Sequence, residues 1–156
     1  MNEVAPGLVT VFGGSGFVGS QVVQALAKRG WRVRIACRRP DRAWKLQTSG
    51  SVGQFQSVRC DVTRPEEVAA ALRGADAAIN LVGILYESGR RTFHALHVDA
   101  SRNIAEACAA GGVNRLVQIS AIGASPESRS DYALSKAAAE MAVREVKPDT
   151  VVIRPS

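Results

Sequence analysis

Apolar runs and amphipathic stretches alternate along the whole chain, the pattern a parallel sheet needs when helices cover both faces. Six runs rich in apolar and β-branched residues predict strands at Leu8–Phe12, Arg32–Cys37, Phe55–Cys60, Ala75–Val82, Leu116–Ser120 and Thr150–Arg154. Between them, apolar residues at helical spacing predict helices over Gly16–Arg29, Pro65–Leu72, Phe93–Ala110 and Asp131–Val146, with a short one near Asp41–Gln47. Gly30 and the pair Gly111-Gly112 are suitable helix stops. Thr63 with Glu66 has capping-box spacing, and Pro65 fits a first helical turn. Gly50–Gly53 and Gly123–Ser130 read as loops.

Six strands alternating with helices fit an α/β, doubly wound parallel sheet of Rossmann type in the order 3-2-1-4-5-6, with helices on both faces. Ligands in such sheets bind beyond the carboxyl ends of the strands. Gly13, Arg38, Asp61, Gly83 and Ser120 are all expected at that edge. At 156 residues the chain is one domain, 1–156, large enough for a real core.

The first strand runs into Gly13-Gly14-Ser15-Gly16-Phe17, and Gly19 follows in the helix after it. Glycine there allows a tight turn, close approach of a ligand and close packing of helix on strand. Free N–H groups and the positive end of the helix dipole suit a pyrophosphate. The spacing is G-x-x-G-x-x-G.

Composition narrows the class. Hydrophobic residues make up 46% and charged residues 22%, as expected for a globular protein, and no apolar run approaches the roughly 20 residues of a membrane span. The opening MNEVAPG has neither the charged nor the apolar region of a signal peptide, so a cytoplasmic location is expected. Cys37, Cys60 and Cys108 show no CxxC spacing and read as reduced, partly buried thiols; no metal site is expected.

The net charge of +6 is unevenly spread. No acidic residue lies between Val4 and Pro40, where Lys28, Arg29, Arg32, Arg34, Arg38 and Arg39 all fall. These residues are not interleaved with aromatics and no nucleic-acid motif accompanies them, so a polyanionic cofactor and a solvated face account for them better than nucleic acid. Trp31 and Trp44 read as packing residues.

The end of the second strand is informative about the cofactor. NAD-selective domains place Asp or Glu there to hold the ribose 2′-hydroxyl. Here the strand ends Ala36-Cys37-Arg38-Arg39. Guanidinium groups can bind a 2′-phosphate through charge-assisted hydrogen bonds. NADP(H) is therefore expected over NAD(H), with Arg38 and Arg39 as ligands of the extra phosphate. Asp61, in Cys60-Asp61-Val62, can meet the adenine amino group or serve as a turn residue. Val82 and Gly83, at the end of the fourth strand, complete the expected cofactor edge.

Tyr132 and Lys136, in YALSK, are four residues apart on a helix and share a face. A tyrosine hydroxyl can donate a proton to a carbonyl that receives hydride, and a neighbouring ammonium lowers its pKa towards a useful value. His94 and His97 have i, i+3 spacing without an evident third ligand, and read as partly buried helix residues.

With these pieces in place, the chain resembles the short-chain dehydrogenase/reductase superfamily, in its extended and atypical branches. The motifs are GGSGFVG, CDV, NLVG, HVDASRNIAEA, LVQISAIGA and YALSK. ISAIGA with YALSKAAAE, and FHALHVDASRNIAEAC, look most like the NAD(P)H-binding accessory subunits of respiratory complex I and their bacterial relatives. That resemblance implies tight NADPH binding with a structural or regulatory role, and a large protein assembly at the inner face of a respiratory membrane as partner. Family enzymes often carry two serines at the end of the fifth strand; aligned here, Ser120 takes the first place and Ala121 the second. Ser120 or Ser125 then remains as hydrogen-bond donor for an active NADP-dependent reductase or epimerase, with Tyr132 as acid and Lys136 as its support. Many relatives have Asn where His97 stands, so no relay role carries over to it. A regulator reading the NADP/NADPH ratio is the third alternative. Family members continue beyond the sixth strand with a substrate lobe, so the chain is expected to be a fragment of a longer protein or a minimal cofactor-binding domain.

Overall fold

A computed structural model describes residues 5–156. Residues 1–4, part of the opening segment read for a leader, lie outside the described residues. β1 (Leu8–Phe12), β2 (Arg32–Cys37), β3 (Phe55–Arg59), β4 (Ala77–Asn80), β5 (Arg115–Ile119) and β6 (Val151–Ile153) form one sheet. Its order is β3-β2-β1-β4-β5-β6 and every pairing is parallel, as the strand pattern implied.

β1 is central, and Val9 to Phe12 are fully buried because both faces of the sheet are covered. Alternation divides its side chains. Val9 and Val11 join Val33 and Ile35 under α1 (Phe17–Lys28) and the short α2 (Trp44–Gln47). Phe12 joins Ala78 and Leu116 under α3 (Pro65–Leu72), α4 (Ala100–Ala110) and α5 (Asp131–Val146). Thr10 points into the second face and satisfies its hydroxyl on the Ala71 carbonyl at 2.9 Å.

Several expectations are corrected in detail. The capping box at α3 does not form: Thr63 Oγ1 donates to Asp61 Oδ1 at 2.7 Å, and Glu67, not Glu66, takes a backbone amide, that of Asp61. The stretch Phe93–Ala110 is not one α-helix, because His94–Asp99 is π-helical before α4 begins. Arg34, counted with the basic surface, is structural. Its Nη1 donates to the carbonyls of Ala71 and Arg73 and so caps the end of α3. Trp44 is exposed instead of packed.

Candidate functional site

The loop from Gly13 to Gly16 carries the chain from β1 into α1 at the carboxyl edge of the sheet. Gly13 has φ +76°, which only glycine adopts without strain, and a Cβ there would press on the Leu81–Val82 backbone at 3.1–3.2 Å. Gly16 is the N-cap of α1 and has no side-chain cap, so the amides of the first turn stay open to a ligand. Phe17, the first helical residue, is 90% exposed.

The other two glycines work beneath the loop. A Cβ on Gly14 would meet Val11, Val23 and Ile35 side chains at 3.1–3.2 Å, and one on Gly19 would lie 2.7 Å from Gly14 Cα. Both are buried, and neither lines the cleft above. Their missing side chains let α1 approach β1, so they support the loop and leave ligand contact to Gly13, Ser15 and Gly16.

Those three residues form one wall of a cleft of about 220 Å³. Its other walls are Cys37 and Arg38 at the end of β2, Cys60 and Val62 after β3, and Val82, Gly83 and Arg91 after β4. The glycine loop, Arg38, Val62, Val82 and Gly83 thus come together as the sequence suggested. Arg91 was not anticipated. A neighbouring hollow is lined by Ser15, Cys37, Arg38, Arg39, Arg42 and Arg91, with no acidic residue.

Arg39 reaches this second hollow but is already engaged: its Nε and Nη2 donate to the Asp41 carboxylate at 3.4 and 3.0 Å. Asp61 has taken its turn role, its Oδ1 accepting the Thr63 amide at 3.0 Å and the hydroxyl of the same residue. Burial works to raise that carboxyl, but the Thr63 hydrogen bonds and the charge of Arg38 outweigh it and hold it below the ordinary value.

β4 ends on a buried polar knot that aims the next segment. Asn80 Nδ2 donates to Gln118 Oε1 and Ser101 Oγ, while its Oδ1 accepts the Val82 amide at 3.0 Å. Gln118 and Ser101 are themselves buried, so the knot fixes the course of Leu81-Val82-Gly83 into the cleft wall.

Around α5, Tyr132 is half-buried, with Phe93 and His97 rings at 5.9 and 5.5 Å, both edge on. Lys136 is buried one turn later and its Nζ donates to the Ile119 carbonyl at 3.0 Å. Burial lowers its pKa, opposed by nearby Glu140. His97 Nε2 accepts the Ile84 amide at 3.1 Å, so the ring proton sits on Nδ1 and points at Ser135 Oγ, 2.8 Å away. The Ser135 hydroxyl in turn donates to the Tyr132 carbonyl. Desolvation, helped by the Lys136 charge, brings the His97 pKa down to about 4, and the ring is neutral at pH 7. His94 is instead exposed and pairs with Asp99.

Ser120 is buried just after β5. It is 5% exposed, continues the ladder to Ile153 through its amide, and its hydroxyl makes no well-formed hydrogen bond. That hydroxyl lies towards Glu140, whose carboxylate takes two N–H groups of Arg154 at 2.9 and 2.7 Å. Strand alternation turns Ser120 to the same side as Leu116 and Gln118, into the covered face of the sheet.

An open parallel sheet of this order, with a glycine-rich loop and unfilled amides at its carboxyl edge, defines a dinucleotide-binding protein of Rossmann type. Residues 13–156 match the model of the family described as NAD(P)H-binding, and the chain belongs to that family. It is 36% identical to the NADH dehydrogenase [ubiquinone] 1 alpha subcomplex subunit 9, mitochondrial, of Arabidopsis thaliana, over 96% of this chain and 38% of that protein. It is 34% identical to a ceramide reductase of Caulobacter vibrioides, over 97% of this chain and 46% of that one. Among solved structures, a UDP-glucuronic acid 4-epimerase from Bacillus cereus in complex with NAD superposes with a TM-score of 0.76 at 19% identity, over 94% of this chain and 56% of that one, which speaks for the fold alone. The chain spans about two fifths of the length of the curated relatives it matches, 38% and 39% for two complex I subunits. This is an NAD(P)H-binding domain similar to the complex I subunits. Among the described residues, no helix is long and apolar enough to cross a membrane.

Proposed function

We propose that the cleft holds NADP(H), and that the domain serves a structural or regulatory role within a larger protein assembly at a respiratory membrane. The observation carrying the cofactor choice is Arg38. It stands where an NAD-selective domain keeps a carboxylate, on the wall of both hollows, with no acidic partner in ion-pair range among the described residues.

In this reading the open amides of the first turn of α1 face the diphosphate, over the close packing that Gly14 and Gly19 allow, and Phe17 begins the helix whose dipole favours it. Val82 and Gly83 border the cofactor after β4, Asp61 and Val62 the adenine, and Tyr132 with Lys136 the nicotinamide ribose. Arg39 can join Arg38 at the 2′-phosphate by releasing Asp41. The bound nicotinamide would supply hydride chemistry; the chain's own residues bind and orient it.

Titration of the full chain with NADPH and with NADH tests the choice. NADPH is expected to bind at least tenfold more tightly, and Arg38→Ala to remove most of that difference. A single charge-assisted hydrogen bond, about 1.5–3 kcal/mol, is enough for such a ratio. Equal affinity for the two would end the proposal.

A second reading, an NADP-dependent carbonyl reductase, is favoured by Tyr132 and Lys136 standing together beside His97, and by the similarity to a reductase. NADPH oxidation across a panel of ketones, abolished by Tyr132→Phe, would support it. Cofactor retained without turnover would favour the structural role.

A further inference from the structure

We infer that Arg91 is the second guanidinium of the anion site beside Arg38, and that Arg91, ahead of Arg39, sets the preference for a phosphorylated ribose. The inference rests on the NADP(H) reading above and assigns the residue that enforces it.

The two hollows share four residues: Ser15, Cys37, Arg38 and Arg91. These mark one corner, bounded by the glycine loop, the end of β2 and the segment after β4. Arg91 comes from the opposite wall to Arg38, so an anion between them is gripped from two sides. Arg42 lines the same hollow. Guanidinium groups lining a space whose walls hold no carboxylate repel one another, and a phosphomonoester dianion relieves that repulsion while accepting their forked N–H groups.

The backbone holds Arg91 in place. Ser88 and Arg91 exchange two hydrogen bonds, of 3.1 and 3.0 Å, across a turn in which Gly89 has φ +57°. Glu87 accepts the Phe93 amide at 2.6 Å, and Thr92 Oγ1 accepts that of Ala95. Upstream, Ile84 is tied to His97. Both flanks are thus anchored, and the side chain alone is left to find a partner. Arg91 has no carboxylate in ion-pair range among the described residues, whereas Arg39 is held in a two-pronged pair by Asp41.

Arg91→Ala, Arg91→Lys and Arg39→Ala, each in the full chain, are titrated with NADPH and NADH, with thermal melting as the control for folding. Arg91→Ala is expected to weaken NADPH tenfold or more and NADH less than threefold. Arg91→Lys, which keeps the charge and loses the fork, should fall between, and Arg39→Ala should move NADPH less than threefold. Equal losses for both coenzymes, or an unchanged preference in Arg91→Ala, would overturn the assignment while leaving the NADP(H) reading intact. If the unaltered chain itself shows no preference, the underlying reading fails instead, and this one with it.

Discussion

The imidazole of His97 meets the phenol ring of Tyr132 edge to face, with centroids 5.5 Å apart. The contact is held from both sides. Ile84 donates to one ring nitrogen, and Ser135 accepts from the other before donating to the Tyr132 carbonyl. His97 therefore joins the segment after β4 to the first turn of α5 as a neutral clamp.

Keeping that ring neutral has a consequence for stability. Its folded pKa of about 4 lies below the ordinary 6.5, so the unfolded chain takes up the proton first. Stability should fall as pH drops from about 6.5 towards 4 and level off below, by up to about 3 kcal/mol in all. Urea unfolding at pH 7 and pH 4.5 measures it. His97→Gln should be less stable at pH 7 and lose much less on acidification; an unchanged acid loss in that variant would refute the clamp.

Glycines at the loop separate into two classes by what their absent side chains touch. Gly19→Ala forces a methyl against the Gly14 backbone and should cost about 2–3 kcal/mol. Gly16→Ala meets only the Gly13 carbonyl, at 3.3 Å, and should stay within about 1 kcal/mol of the unaltered chain. Comparable losses in the two would show that the loop relaxes more readily than its packing indicates.

Arg154→Ala should leave Glu140, with a side chain 5% exposed, short of its counter-charge. Burial alone would raise the Glu140 carboxyl; Arg154 holds it below the ordinary value instead. The stabilisation this represents is present above about pH 4.5 and lost as pH falls through the depressed value, a window lower than that of His97. Because the arginine side chain is half-exposed, only a modest loss of stability is expected at pH 7, read by urea unfolding. No loss at pH 7 would mean that Arg144 and Lys136 suffice to balance the carboxylate.

How much of this was legible depends on whether the signal is local. The six strands, their order and the glycine turn follow from alternation and from residues whose backbone preferences act where they stand. Arg38 is legible for the same reason, since it ends a strand. The burial of Ser120 is legible too: counting by twos from Leu116 through Gln118 places it on the covered face. Arg91 was not available. Its place beside Arg38 depends on a two-residue turn folding the Ile84–Thr92 segment back over the cleft, and nothing in ESGRRT states that direction. The π-helical stretch His94–Asp99 escaped likewise, because the wide turn is stabilised by contacts of His97 with distant Ile84 and Ser135.

Cys37, a wall residue of the cleft, gives the protein a chemical gauge of its own loading. Cys37 lies at the end of β2, with burial raising its pKa against a hydrogen bond from Ser15, and burial pushes Cys60 up to about 12, so both resist alkylation at neutral pH. At higher pH an occupied cleft should shield Cys37 from a maleimide, while Cys60 and Cys108, sealed in the core, react only when the chain opens. The ratio of the Cys37 label to the other two then separates release of a guest from unfolding of its host.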